Sequence, residues 1–146
     1  MSVEIVNRKA KFEYHFLQKY EAGMMLNGTE VKSLRNGDAN LSDAWCTFEG
    51  DELYIKSMYI APYKYGPAEQ HENRRTRKLL LKKSELRKLK RRSTEKGYTN
   101  IPYRLYFNDK GFAKCEIALA QGKRAYDKRK SIKERDVKRD LERTNF

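Results

Sequence analysis

The stretch IPYRLYFNDKGFAKCEIALA, residues 101–120, decides the fold of this chain. Two runs of strand-like composition flank the four residues NDKG, 108–111, and a short connection that ends in glycine is typical of a β-hairpin. Alternation along the two runs places Arg104, Tyr106 and Lys114 at outward-facing positions, with Glu116 following the same pattern. We therefore predict two antiparallel strands joined by a tight turn.

Further strands are predicted nearer the N-terminus. The alternation of apolar and polar residues that starts at Phe12 predicts a half-buried strand over residues 12–26. Residues 44–63 are rich in β-forming residues on both sides of a glycine turn at residues 49–51, which predicts a second hairpin. Several short strands with glycine turns favour closure into a small antiparallel barrel, and the oligonucleotide-binding type fits this pattern.

Two helices are predicted to flank the strands. The first runs from Glu30 to Arg35 with Thr29 as its N-cap, and its acidic first turn and basic last turn match the helix dipole. The second lies within residues 74–96, where 12 Lys or Arg residues occur with two acidic residues. Residues 79–81, three leucines, are compatible with either a buried strand or the start of this helix.

The charge balance predicts a polyanionic partner. The 146 residues include 33 Lys or Arg and 20 Asp or Glu, for a formal net charge of +13. Such an excess repels itself in a folded protein, so binding to nucleic acid is the favoured explanation. No segment approaches the ~18 apolar residues of a membrane-spanning helix, and the N-terminus lacks the pattern of a signal peptide. We expect a cytoplasmic protein with no membrane partner.

Patterns for catalysis are weak, so we expect a protein that is not an enzyme and uses no cofactor. There is no phosphate-binding glycine loop or dinucleotide fingerprint, and His15 and His71 lack zinc-site spacing. Cys46 and Cys115 lie in apolar, strand-like runs and are predicted to be reduced and buried. A metal-dependent nuclease stays open as an alternative, because five carboxylates are close in sequence: Glu30, Asp38, Asp43, Glu49 and Asp51.

Residues 122–146 differ in character from the rest of the chain. They contain 10 Lys or Arg residues and five acidic residues. Apolar residues become sparse along the segment, chiefly Ile132, Val137 and Leu141. So few apolar groups cannot offset an ordering cost of about 1 kcal/mol or more per residue. We predict an RNA-binding barrel domain with two helices at residues 1–121, followed by a basic tail that is disordered when free and helical beside RNA. A solvated charged helix on the barrel is the alternative.

Six blocks of the sequence stand out: NRKA (7–10), YEAG (20–23), GTEVKSLR (28–35), IAPY (60–63), RRTRKLLL (74–81) and GKRAYDKR (122–129). These blocks resemble the small protein B family of SsrA-binding proteins, and they occur in the family's order. The resemblance implies an oligonucleotide-binding-like barrel that binds the tRNA-like domain of transfer-messenger RNA (tmRNA) and delivers it to stalled ribosomes for trans-translation. It also implies a tail that becomes helical in the empty mRNA channel near the decoding centre, with elongation factor Tu and alanyl-tRNA synthetase as associates.

The resemblance also assigns functional residues. Glu30 matches the family's tmRNA-contacting glutamate, although a role as partner of the helix dipole is an equally open reading. The expected tmRNA contacts are Arg8, Lys9, Glu30, Lys32, Arg35, Arg74, Arg75 and Lys78. The expected ribosome contacts are Gly122, Lys123, Arg124, Tyr126, Asp127, Lys128, Arg129, Lys133 and Arg135. The ring of Tyr126, inside this cationic cluster, suits stacking on a base. A monomer is expected, and a ribosomal-protein-like element packed in rRNA is the alternative function.

Overall fold

The computed structural model describes residues 3–95 and 97–123. These residues form nine strands and three helices. The strands are β1 (Glu4–Val6), β2 (Tyr14–Met24), β3 (Ala39–Asn40), β4 (Trp45–Glu49), β5 (Glu52–Lys56), β6 (Tyr59–Ile60), β7 (Arg77–Leu80), β8 (Tyr98–Phe107) and β9 (Ala113–Gly122). The helices are α1 (Arg8–Glu13), α2 (Gly28–Arg35) and α3 (Lys83–Ser93).

Six of the strands close into an antiparallel barrel. Their order is β8, β4, β5, β7, β2 and β9, and β9 pairs back with β8 to complete the ring. Strand β1 extends the sheet by pairing with residues 104–106 of β8. Closure joins the two ends of the six-stranded sheet, as the glycine-turn pattern predicts, and leaves β1 as a short edge strand. The predicted oligonucleotide-binding-like barrel is confirmed.

The predicted hairpin of residues 101–120 is present in the barrel wall. Strands β8 and β9 pair from Tyr98↔Gln121 to Phe107↔Ala113. Their turn is held by Asn108, whose side-chain oxygen accepts hydrogen bonds from the amides of Lys110 and Phe112 at 3.1 and 2.8 Å. Gly111 has a φ of +83°, a left-handed conformation that glycine adopts without a steric penalty.

The main hydrophobic core fills the barrel and extends under two helices, and a smaller cluster of Ala10, Ile101 and Ala120 lies beside α1. Leu34 of α2 and Leu89 of α3 are buried in the same cluster as Leu53, Leu79 and Ile117 of the strands. Cys46 and Cys115 are free and buried, as predicted. Burial raises the pKa of the Cys115 thiol to about 12 and raises that of Cys46 well above its usual range. Both cysteines therefore act as small apolar residues.

The structure differs from the prediction at the start of the first long strand. Residues Arg8–Glu13 form helix α1, which the sequence analysis does not predict, and Phe12 lies on it with 78% of its surface exposed. The cause is Asn7, whose side-chain oxygen accepts a hydrogen bond from the Ala10 amide at 3.3 Å and caps a helical turn. The strand itself begins only at Tyr14.

Two further boundaries differ from the prediction for local reasons. Helix α2 begins at Gly28 with Asn27 as its N-cap, two residues before the predicted N-cap Thr29. The predicted second strand of the hairpin in residues 44–63 ends early, because Ser57 adopts a left-handed φ of +62°. Beyond it, β6 pairs with β3 in a separate two-stranded sheet. The leucines of residues 79–81 belong to β7 and its end, and α3 follows as an 11-residue helix.

Candidate nucleic-acid interface

A buried ionic cluster of Glu30, Arg75 and Arg77, which we call the Glu30 cluster, lies beneath helix α2. The Glu30 carboxylate is fully buried. Its Oε1 accepts hydrogen bonds from Arg75 Nη2 at 2.6 Å and from the Asn27 amide at 2.8 Å. Its Oε2 accepts a hydrogen bond from Nε of Arg77, which is also fully buried. One carboxylate thus joins the N-terminus of α2 to strand β7 and the segment that precedes it.

The two arginines of this cluster also satisfy backbone carbonyl groups. Arg77 Nη1 donates to the carbonyl of Met58 at 2.7 Å, and its Nη2 donates to that of Asn73 at 3.3 Å. Arg75 Nη2 donates to the carbonyl of Met25 at 3.2 Å. A guanidinium presents five N–H donors in a fixed plane, which allows one side chain to hold several chain segments together.

Electrostatics keeps Glu30 ionised in this setting. Burial alone would raise the pKa of Glu30, but hydrogen bonds from Arg75, the Asn27 amide and Arg77, together with the charge of Arg77, hold that pKa below its ordinary value. Glu30 therefore acts as a partner of the helix N-terminus, which is one of the two roles that the sequence allows. The carboxylate is enclosed and does not reach the surface. A direct contact of Glu30 with RNA stays a prediction.

Arg77 is a functional residue that is not among the candidates predicted from the sequence. It lies within RRTRKLLL, where four positive residues look alike. Alternation along the strand is the signal that indicates the burial of Arg77. Arg77 and Leu79 share one face of β7 and are buried, whereas Leu80 faces outward. A strand extended back from the buried Leu79 therefore places Arg77 inside the barrel.

The surface of α2 and the segment of residues 59–76 alternate positive side chains with aromatic rings. Lys32 Nζ lies 5.2 Å from the centroid of the Tyr63 ring. The Arg74 guanidinium lies 5.7 Å from the centroid of the Tyr59 ring, and Arg74 Nη1 donates to the Ser57 carbonyl at 2.9 Å. We call this the α2 surface. Aromatic rings among exposed cations are the arrangement that binds unpaired nucleic acid.

The other predicted tmRNA contacts are spread more widely. Arg35 ends α2 and lies against the β8–β9 hairpin, with its guanidinium 4.5 Å from the centroid of the Phe107 ring. Lys78 projects from β7 and pairs with Glu52 at 3.4 Å. Arg8 and Lys9 are exposed on α1, and Lys9 lies 3.7 Å from Glu13. The structure therefore places Lys32 on α2 and holds Arg75 against Glu30 of the same helix, whereas Lys78 lies on the outer wall of the barrel.

Helix α3 carries a second basic surface. Leu89 is the buried residue of this helix. The exposed positive residues are Lys82, which directly precedes the helix, and Lys83, Arg87, Lys88 and Arg91 within it. Lys90 on the same helix is engaged by Asp51 at 2.8 Å. The basic composition of residues 74–96 signals this surface, although the sequence analysis names none of its residues as contacts.

The predicted tail contacts fall mostly beyond the part of the chain that the structure describes. Gly122 ends β9 and pairs with Tyr14 at the start of β2, and Lys123 is partly buried beside it. The predicted disorder of the free tail and seven of its predicted contacts lie outside the described residues: Arg124, Tyr126, Asp127, Lys128, Arg129, Lys133 and Arg135.

Several clustered carboxylates take part in ion pairs. Asp43 lies 3.6 Å from Arg74, and Glu49 lies 2.8 Å from Lys56. Among residues 3–95 and 97–123, no group of three or more His, Cys, Asp or Glu side chains is placed to hold a metal ion.

Within these same ranges, every helix is too short or too polar to cross a membrane.

Comparison with known proteins gives one consistent result. The model of the family described as SmpB protein matches residues 4–145. An SsrA-binding protein of Cytophaga hutchinsonii is 52% identical over 142 residues, covering 97% of this chain and 93% of the relative. One of Bacteroides thetaiotaomicron is 51% identical, covering 97% and 95%. A solved chain described as "tmRNA-SmpB: a journey to the center of the bacterial ribosome" is 47% identical, with a TM-score of 0.69 and 84% of each chain covered.

Proposed function

The chain belongs to the SmpB protein family, and on this premise we propose that it binds the tRNA-like domain of tmRNA and brings it to stalled ribosomes for trans-translation. Its relatives at about 50% identity are named SsrA-binding proteins. The solved chain that shares its fold is described with tmRNA and the bacterial ribosome. The protein acts as a binding factor in the cytoplasm and catalyses no step.

The observation that carries this proposal is the α2 surface. It combines positive side chains, which neutralise phosphates, with aromatic rings, which stack on bases. The closed barrel and the Glu30 cluster hold this surface in place, so little order has to be gained on binding. In this arrangement Glu30 acts through Arg75, which it orients, while the exposed part of Arg75 faces the RNA.

The two basic surfaces suit a protein that contacts two RNA molecules. The α2 surface binds tmRNA, and the surface of α3 is available to a second polyanion. The tail of residues 122–146 then occupies the empty mRNA channel near the decoding centre and becomes helical there. The protein works as a monomer, with elongation factor Tu and alanyl-tRNA synthetase as associates. The family resemblance supports these partners and the role of the tail.

Selective RNA binding tests the proposal directly. The purified chain is titrated with the tRNA-like domain of tmRNA and with an arbitrary RNA duplex of equal length at the same salt concentration. We expect tighter binding of the tRNA-like domain. Equal affinity for the two RNAs would contradict the proposal, and retention on ribosomes during sedimentation in high salt would favour a ribosomal-protein-like element instead.

A second experiment separates the tail from the barrel. Replacement of Asp127, Lys128 and Arg129 by alanine is expected to abolish peptide tagging on stalled ribosomes, because these residues match the tail's decoding-centre motif. The affinity for tmRNA should stay nearly intact. Replacement of Lys138, Arg139 and Asp140 removes the same three residue types elsewhere in the tail and should preserve tagging. If the two triple variants behave alike, the effect reflects charge in the tail and not the motif.

A further inference from the structure

The loop of residues 61–70 presents an aromatic ring to solvent at the edge of the α2 surface. Tyr65 is 78% exposed. It meets Tyr63 edge-to-face, with the ring centroids 5.8 Å apart and an angle of 75° between the rings. A tyrosine this exposed adds little to the hydrophobic core, so packing of the fold does not account for its position.

Hydrogen bonds hold this loop in one conformation. The side chain of Gln70 accepts from the Tyr63 amide at 2.8 Å and donates to the Tyr63 and Pro67 carbonyls at 3.1 Å each. The amide of Gly66 also donates to the Tyr63 carbonyl, at 3.0 Å. A Cβ atom on Gly66 would lie 3.2 Å from both the Gln70 side chain and the Tyr63 carbonyl, so the turn is tight.

The base of the loop is fixed to helix α2. Nε2 of His71 lies 3.1 Å from the Ile60 carbonyl, which can only accept, so Nε2 donates this bond. Nδ1 of the same ring lies 2.8 Å from the Thr29 hydroxyl of α2. The loop therefore shares a rigid frame with the rest of the α2 surface, and the ring of Tyr65 is held ready for a ligand.

The charges around the ring favour a segment of nucleic acid. Lys64 Nζ lies 5.7 Å from the centroid of the Tyr65 ring, and Lys32 Nζ lies over the neighbouring Tyr63 ring. In the part of the chain that the structure describes, neither lysine forms an ion pair. Glu69 is the only acidic residue of the loop and offsets Lys64. The loop itself therefore has no net charge, and Lys32 of α2 supplies the surplus positive charge beside the rings.

We propose that Tyr65 is a stacking site for one unpaired base of the bound RNA, with Lys64 and Lys32 contacting the phosphates on either side of that base. This inference rests on the proposed function, because it takes RNA as the partner. Base–aromatic stacking contributes about 1–3 kcal/mol per base, which corresponds to about 5- to 150-fold in affinity. An acidic peptide would suit the lysines, but it would not need the face of an exposed ring.

Substitution of Tyr65 tests the stacking site. We expect Tyr65→Ala to weaken binding to the tRNA-like domain of tmRNA by about 5- to 150-fold without changing the salt dependence of binding. Tyr65→Phe should bind like the wild type because it keeps the ring. Lys64→Ala should reduce the slope of log affinity against log salt by about 1. Phe112→Ala removes an aromatic ring that is 63% exposed on the β8–β9 hairpin and serves as the matched control.

A spectroscopic variant reports stacking without relying on affinity. Trp45 is the only tryptophan in the chain, so a Trp45→Phe, Tyr65→Trp double variant places a single indole at the loop. Its emission should be quenched when the tRNA-like domain binds. If the wild type binds this RNA selectively while Tyr65→Ala binds equally well and the indole is not quenched, the stacking site is wrong and the proposed function stands. If the wild type shows no selectivity, the proposed function itself fails.

Discussion

The Glu30 cluster and the loop of residues 61–70 both contact helix α2, but they use positive side chains in opposite ways. In the cluster, Arg77 is fully enclosed and its donors are taken up by Glu30 and by backbone carbonyls. On the loop, Lys64 lies over an exposed tyrosine ring. The same charge therefore organises the scaffold in one place and is available to a ligand in the other.

This difference limits what net charge says about RNA binding. The formal charge of +13 counts every Lys and Arg alike, yet Arg77 is inaccessible and Arg104 is held by Glu4 and Glu116 at 3.3 and 2.9 Å. The hydrogen bonds and charges of these carboxylates raise the pKa of Arg104 in spite of desolvation, which lowers it. Net charge therefore overstates the number of cations that are free of a partner within the fold.

The largest expected effect concerns the buried cluster. Replacing Glu30 by glutamine leaves Arg77 buried without its counter-charge, and breaking a buried pair in this way lowers the free energy of unfolding by about 3–5 kcal/mol. Urea denaturation measures this change. Asp51→Asn is the matched control, because its pair with Lys90 leaves the Asp51 side chain 95% exposed and no measurable loss is expected. Equal losses in the two variants would contradict the distinction between buried and exposed pairs.

The same pair predicts how stability depends on pH. The folded-state pKa of Glu30 lies below its ordinary value of 4.5. Its contribution is therefore fully present above that pH and is lost as the pH falls through the lowered folded-state pKa. The difference in unfolding free energy between the wild type and Glu30→Gln should narrow as the pH is lowered below about 4.5. A difference that stays constant down to pH 3 would show that the glutamate charge does not stabilise the fold.

The barrel was predictable because its signals are local and periodic. The residues nearest the turn, 104–106 and 114–117, alternate and enclose a glycine turn, so the hairpin connection follows from the sequence, whereas the register shift between Pro102 and Arg104 does not. Helix α1 was not predicted, since Phe12, Tyr14 and Phe16 alternate like a strand while a single cap at Asn7 starts a helical turn. The Asn7 cap leaves no periodic pattern, so alternation alone does not reveal this helix.

The candidate site was predictable in its composition but not in its geometry. The blocks that resemble the family contain Glu30 and Arg75, yet nothing local shows that they meet, since they lie 45 residues apart in the chain. The order of the 61–70 loop was also hidden, because it depends on the side chain of Gln70 reaching back to Tyr63. Contacts of this kind arise from tertiary structure and leave no periodic trace.

The smallest expected effect concerns Arg35, which both packs within the scaffold and is predicted to contact a ligand. Its guanidinium packs on Phe107 and donates to the Gly111 carbonyl at 3.1 Å, yet the residue is exposed and is predicted to contact tmRNA. Arg35→Ala should lower the free energy of unfolding by about 0.5–1 kcal/mol and reduce the salt slope of RNA binding by about 1. Arg35→Lys should restore the slope, because it keeps the charge, but not the full stability, because it loses the planar donor. An unchanged slope in Arg35→Ala, together with lost stability, would move Arg35 from the RNA-binding group to the structural one.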